Sequence, residues 1–307
     1  MNYKYQILEN LLNLYWLRPE VAIWRTLDVL QMKSIKINSP SLDFGCGDGT
    51  FMFTNMGGRT DFNYDVYKTM SNTTNFFEKR DIHNQITNIK PKIITKPKHL
   101  MSIGLDLKQN LLDKANTLHI YDKKIQHNAN YKLPFDDKEF QTVFSNIFYW
   151  TKNIEKTLIE ARRICSDTGK LIIFVPDIKF KNLLIYNKFL KNGYKWAKIL
   201  DRGIYKNGAK HCYTFEKWET IFNKIGLKID IHSNFLTEGF IKMWNVGLRP
   251  YSPFLIEMSN NLKSNDRTRI KKKVIQEMMP LLKSYIDYEM SKVGKGNCFH
   301  MFVLSRN

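Results

Sequence analysis

Asp43, Gly45, Gly47 and Gly49 alternate along the stretch SLDFGCGDGT (41–50), just after a short apolar run. An acid followed by three residues without side chains suits a strand that turns tightly against a nucleotide-like cofactor, since glycine lets the backbone approach a ligand. A dinucleotide fingerprint, G-x-G-x-x-G, needs its third glycine at position 50, which is Thr50. A phosphate-binding loop needs Gly-Lys-Ser/Thr at its end, and no lysine follows Gly49. Both readings fail on named residues.

Such a turn needs a parallel sheet behind it, and the chain predicts one. Apolar runs at 41–44, 101–106, 123–128, 141–146, 170–176, 227–232 and 298–304 read as strands, with helical patterns at 108–118, 153–165 and 215–225 between them. Strands alternating with helices of about ten residues specify βαβ units. Residues 5–17 and 19–33 read as helices, the second with Pro19 at its first position. Residues 57–100, with Pro91 and Pro97, read as an insertion. A long helical pattern, 266–291, is interrupted at Pro280. The expected division is an N-terminal helical flap (1–40), a cofactor-binding core (41–235), a helical cap (236–297) and a last core strand (298–307).

The net charge of +19 admits nucleic acid, an anionic substrate or an anionic membrane surface as partner. The basic residues, mostly Lys, spread along the whole chain among abundant Asn, Ile and Tyr, a mixture that AT-rich coding also produces. No apolar run reaches the roughly 20 residues of a membrane span. Cys46, Cys165, Cys212 and Cys298 are scattered without a CxxC pair or zinc spacing. A cytoplasmic protein without a metal is expected.

Asp43-Phe-Gly45-Cys46-Gly47-Asp-Gly49 resembles motif I of the class I S-adenosylmethionine-dependent methyltransferases, and the downstream register extends the resemblance over roughly 41–235. IGLDLKQNLLDKA resembles the second family strand, QHNANYKLPFDDKEFQTVFSN the segment after it, and EARRICSDTGKLIIFVP the family's later helix, turn and strand. The resemblance implies an α/β, Rossmann-like sheet, mostly parallel with its last strand antiparallel, and S-adenosylmethionine as cofactor. It implies that Asp43 and the turn residues Gly45, Cys46, Gly47 and Gly49 face the methionine moiety. Asp106 would bind the ribose hydroxyls and Leu107 would pack on adenine. Asn128-Ala129 stands where the family usually has Asp-Ala, and Ser145 ends the next strand. Asp65 lies at the usual distance for the ribose acid, but the sequence after Asp106 fits better.

Candidates near the methyl group are Tyr149 and Trp150, with His211 before helix 215–225. Tyr149 and His211 are candidate catalytic groups; each has a competing structural role, core packing for the aromatics and a helix start for His211. Arg18 in YWLRPEVAIW and Arg249 in MWNVGLRPYSPF are candidate acceptor-binding arginines, since a guanidinium grips an anion with two N–H groups. The expected activity is in-line methyl transfer to a small polar metabolite, a sugar or sugar nucleotide among the candidates. An RNA acceptor and a non-catalytic cofactor-binding protein are the alternatives.

Overall fold

The structure, a computed structural model, describes residues 2–68, 70, 89–190, 209–248 and 251–307. Helices α1 (Tyr3–Leu14) and α2 (Pro19–Met32) precede β1 (Ser41–Phe44), which runs through the glycine turn into α3 (Thr50–Asn55). A two-strand antiparallel ribbon, β2 (Arg59–Thr60) with β3 (Ile93–Thr95), lies within the expected insertion. Then come β4 (Met101–Asp106), α4 (Gln109–Asn116), β5 (Tyr121–Gln126), β6 (Phe140–Ser145), α5 (Ile154–Ile164) and β7 (Cys165–Pro176). Short helices α6 (Ile178–Leu183) and α7 (Ile185–Leu190) follow, then α8 (Phe215–Lys224) and β8 (Leu227–Phe235). The cap consists of α9 (Glu238–Val246), α10 (Ser252–Asn260) and α11 (Ser264–Ser291), and β9 (Phe299–Arg306) ends the fold.

Seven strands pair in the order β5-β4-β1-β6-β7-β9-β8. The first five run parallel, and β9 runs antiparallel to both β7 and β8. The order reverses between β1 and β6, and in open sheets that switch point is where ligands bind, beyond the carboxyl ends of the strands. Strand periodicity of two divides the core between the faces. Phe144, Ile172, Phe174, Phe299 and Met301 pack beneath α1, α2 and the cap helices. Val143, Ile173, Val175, Phe302 and Leu304 pack against α5 and α8. On that second face Trp218 and Phe222 are fully buried, each worth about 1.5–3 kcal/mol of transfer free energy.

The local signals explain the helix ends. Asn153 accepts from Lys156 N and starts α5, Thr214 accepts from Lys217 N and starts α8, and Gly226 follows α8 at φ 72°. Two expectations change. The helix α11 is continuous through Pro280, because buried Ile275, Leu282 and Ile286 hold both halves against the protein. The stretch between the expected helix 153–165 and the expected strand 170–176 is not a separate turn but lies within β7, where a register shift opposite Phe140 and Thr142 absorbs the extra residues.

Candidate functional site

All four residues of β1 are buried, and Asp43 is its one acid. Gly45 follows at φ 85°, where a Cβ would stand 2.1 Å from Ile147 Cγ1. No side chain fits that contact. The amides of Gly45 and Cys46 donate to Leu105 O at 2.7 and 2.9 Å, which fastens the turn to the end of β4. Gly47 N donates to Asp106 Oδ2 at 2.9 Å, and Lys108 N donates to Asp106 Oδ1 at 2.9 Å. Each Asp106 oxygen therefore receives one backbone N–H and keeps a further lone pair for a hydroxyl. A Cβ at Gly47 would meet nothing within 4 Å, so the turn faces open space there.

Asp43 is held from two strands away. The Tyr121 phenol donates to Asp43 Oδ2 at 2.5 Å, reaching from β5 over Gly104 of β4. A Cβ on Gly104 would sit 2.9 Å from the Tyr121 ring. Burial pushes the Asp43 carboxyl up to about 7, with the Tyr121 hydrogen bond opposing and Asp106 adding to the rise. The Cys46 thiol is raised by burial and by Asp43, Asp106 and Asp48, so it stays a protonated thiol. Asp48 accepts from Thr50 N at 3.1 Å and pairs with Lys114 Nζ at 3.2 Å.

Next to Asp106, Leu107 is 56% exposed. Asn128 Oδ1 accepts both Asn130 N and Asn130 Nδ2, at 3.0 and 2.9 Å, so its amide NH₂ is the group left to face a ligand. Ala129 is partly buried beside it. Ser145 is fully buried; its hydroxyl donates to Phe44 O at 2.8 Å and accepts from Ile147 N at 3.2 Å. It thus fixes the loop that presses on Gly45. Asp65 is fully buried and bound bidentately by Arg267 at 2.7 and 3.0 Å, which holds its carboxyl below the usual range against the opposing effect of burial. Its other partners are Lys271 and the amides of Tyr67 and Lys68. Asp65 is neither solvated nor open to a ribose.

A cavity of about 270 Å³ begins at Asn146 and Ile147, immediately after β6. Ile147 both lines it and touches the space above Gly45, so the cavity abuts the glycine turn. Its walls include Trp24, Trp150, Trp244, Phe180 and Phe299. Trp24 is the hub, with ring centroids 4.8 Å from Trp244 and 5.2 Å from Phe299, both edge-on. Arg18 also lines the cavity, its Nε donating to Glu20 Oε1 at 2.8 Å. Arg25 and Asp28 stand on α2 one turn apart, with Nη1 donating to Asp28 Oδ2 at 3.0 Å. Burial raises the Asp28 carboxyl to about 6 against the pull of Arg25. Burial likewise holds the Tyr149 phenol up at about 12, a proton donor at neutral pH.

Tyr149, Trp150 and Arg18 thus come together at the cavity, while the cofactor candidates gather at the ends of β1, β4, β5 and β6. His211 lies apart. Its Nε2 donates to Thr151 O at 2.9 Å, which leaves Nδ1 to accept from the Tyr213 hydroxyl at 3.1 Å. Both ring nitrogens are engaged, and burial lowers its pKa. Arg249 lies outside the described residues. Sequence reasoning missed Tyr121, Arg25 and Asp28. A glycine inside strand IGLD signals close approach of another group. The pair RTLD at helical spacing i,i+3 could have flagged an ion pair.

The profile of a family described as a methyltransferase domain matches residues 93–173, from β3 into β7. No curated protein matches the chain in sequence. Among solved structures, one similar fold is an S-adenosylmethionine-dependent methyltransferase of Thermotoga maritima, at 15% identity and TM-score 0.46, covering 76% of this chain and 86% of that one. Another, from Thiobacillus denitrificans in complex with S-adenosyl-L-homocysteine, has 10% identity and TM-score 0.45, with 92% and 91% of the two chains covered. A third, from Mesorhizobium loti, has 11% identity and TM-score 0.45, with 92% and 97% covered.

Proposed function

We propose that this chain, a class I S-adenosylmethionine-dependent methyltransferase, passes the methyl group to a small polar molecule seated in the aromatic cavity beside its glycine turn. The observation that carries this reading is the contact of Ile147 with both the cavity and the space above Gly45. A donor laid along the turn would then present its methyl group to the cavity mouth.

The residues fit the cofactor. The open space above Gly47 suits a ligand backbone, and Asp106 has acceptor capacity left for two ribose hydroxyls. Leu107 and Ala129 would flank the adenine, with the Asn128 amide at its edge. Asp43 would face the methionine ammonium through water, since Tyr121 covers one of its oxygens. Ser145 would act from behind by holding Ile147. When bound, the sulfonium supplies an already activated methyl group, so the protein's part is chiefly to position the acceptor. Tyr149 and Trp150 would contact the acceptor, and Arg18 would face its polar end. His211 would set the loop at Thr151. A cavity of about 270 Å³ favours a small acceptor over an RNA strand. We place the protein in the cytosol, where its four buried cysteines, none of them in a disulfide, would stay reduced. No described helix is long and apolar enough to cross a membrane.

Calorimetry with S-adenosylmethionine tests the cofactor site: Asp106→Ala and Gly47→Val should weaken binding at least tenfold, and unchanged affinity would refute the assignment. Labelled donor with fractionated metabolites should release S-adenosylhomocysteine. Release only with RNA fractions, or silence in every fraction, would favour one of the two alternatives.

A further inference from the structure

We infer that the acceptor offers a hydroxyl from a flat body with an apolar face, a phenolic ring or a pyranose, and that Asp28 takes the proton from that hydroxyl. This rests on the cavity being the acceptor site.

The walls come first. Indole and phenyl groups of Trp24, Trp150, Trp244, Phe180 and Phe299 surround a volume of about 270 Å³. That lies just below the roughly 300–1,000 Å³ range for ligand pockets, so one ring with small substituents fills it. Among the described lining residues Asp28 is the one carboxylate, set against the guanidinium groups of Arg18 and Arg25. Arg18 is paired with Glu20 and Arg25 with Asp28. Protonation of Asp28 would therefore leave the Arg25 cation uncompensated, which favours an acceptor oxygen that gains negative charge as it reacts.

The bases are then few. Tyr149 keeps its proton, and His211 has both nitrogens engaged away from the cavity. Asp28 is 3% exposed, accepts one N–H from Arg25, and interacts with the Trp24 indole. A carboxylate has about four acceptor positions, so capacity remains for the incoming O–H. Burial raises its basicity while leaving it ionised at neutral pH. The charged and titratable groups facing it are Arg25 from its own helix and Tyr149 from the turn after β6.

The step balances. The acceptor O–H proton passes to Asp28, an oxygen lone pair forms the O–CH₃ bond, and the S–CH₃ bond breaks with its electron pair left on sulfur. S-adenosylhomocysteine leaves as a neutral thioether, and Asp28 returns the proton to water. Arg25, released from a full negative charge as Asp28 is protonated, can then stabilise the developing oxyanion.

The test uses the full chain, with S-adenosylmethionine binding measured first in the same preparation. Labelled-donor turnover is then followed with catechol and 4-hydroxybenzoate for the phenolic arm, and methyl glucoside and rhamnose for the pyranose arm. Aniline, benzylamine and thiophenol are the controls. Expected are turnover of hydroxyl probes, a rate that rises with pH through about 6, and a loss of 10²-fold or more in kcat for Asp28→Asn. Asp28→Glu should restore part of the rate. Faster turnover of an amine or thiol, no turnover of any hydroxyl probe by a protein that binds the donor, or a flat pH profile overturns the inference. If Asp28→Asn does not fold, the wild-type profile and Asp28→Glu decide. Failure to bind the donor is a separate result that removes the proposed function, and this inference with it.

Discussion

Tyr121 and Asp43 share a hydrogen bond of 2.5 Å although a whole strand lies between them. The reach depends on Gly104, whose missing side chain leaves room for the phenol ring. A phenol donating to a buried carboxylate favours its charged form, against the burial that raises it to about 7.

Tyr121→Phe should therefore leave Asp43 more fully protonated at neutral pH and weaken S-adenosylmethionine binding about tenfold, in line with roughly 1.5 kcal/mol for a hydrogen bond to a charged group. In the wild type, affinity should fall as pH drops below about 7. Asp43→Asn should flatten that dependence. Calorimetry across pH 5.5–8.5 checks both, and a wild-type curve matching Asp43→Asn would be the contrary result.

Asp43 and Asp28 also make a stability prediction with a definite sign. Both carboxyls have folded-state pKa values, about 7 and about 6, above the ordinary carboxylate value of 3.8. The folded protein thus binds these protons more tightly; that contribution is fully present below the unfolded value near 4, declines as pH rises, and is gone above the folded values of about 6 and 7. Without cofactor, Asp43→Asn should melt closer to the wild type at pH 5.5 and above it at pH 8. Thermal melts at the two pH values decide.

Gly45→Ala meets two penalties, a φ of 85° and a contact of 2.1 Å with Ile147. Donor binding should be lost and stability reduced by about 1–3 kcal/mol. Adding Ile147→Ala should recover part of the stability, because the steric penalty goes and the backbone one stays. Full recovery by the double variant would show that backbone strain contributes nothing.

Arg267→Met should cost about 3–5 kcal/mol, since it breaks a buried bidentate pair and leaves Asp65 to Lys271. The Asp65 pKa is depressed. Its stabilisation is present above the unfolded value near 4 and lost as pH falls through the folded value. Urea titrations at pH 7 and at a series of values below 4 should show the gap between the wild type and Arg267→Met narrowing as pH falls.

Much of the fold was legible because its signals are local. The apolar runs at 101–106 and 170–176, the cap residues Asn153 and Thr214, and the glycine turn each announce themselves within a few positions. Asp106 was legible from the sequence around it. Its backbone partners Gly47 and Lys108 were not, because the turn and the strand meet only in the fold. The buried pairing of Asp65 was not legible because its partners lie about two hundred residues away on α11. Asp28 was hidden for the same reason: it becomes a cavity group only when α2 closes over β6 and the cap.

The buried pairing of Asp65 with Arg267 bears on how the chain can be cut. Val66 N donates to Leu14 O, and Lys114 Nζ lies 3.5 Å from Val66 O while pairing with Asp48 beside the glycine turn. The N-terminal helices, the segment after β2 and the cap are thereby interdependent despite their separation in sequence. Trimming the cap alone would strand a carboxylate in the interior, and trimming the first helices would strip the same segment of its backbone partner. A minimal version of this chain cannot be reached by removing its additions one at a time; they must be kept or redesigned together.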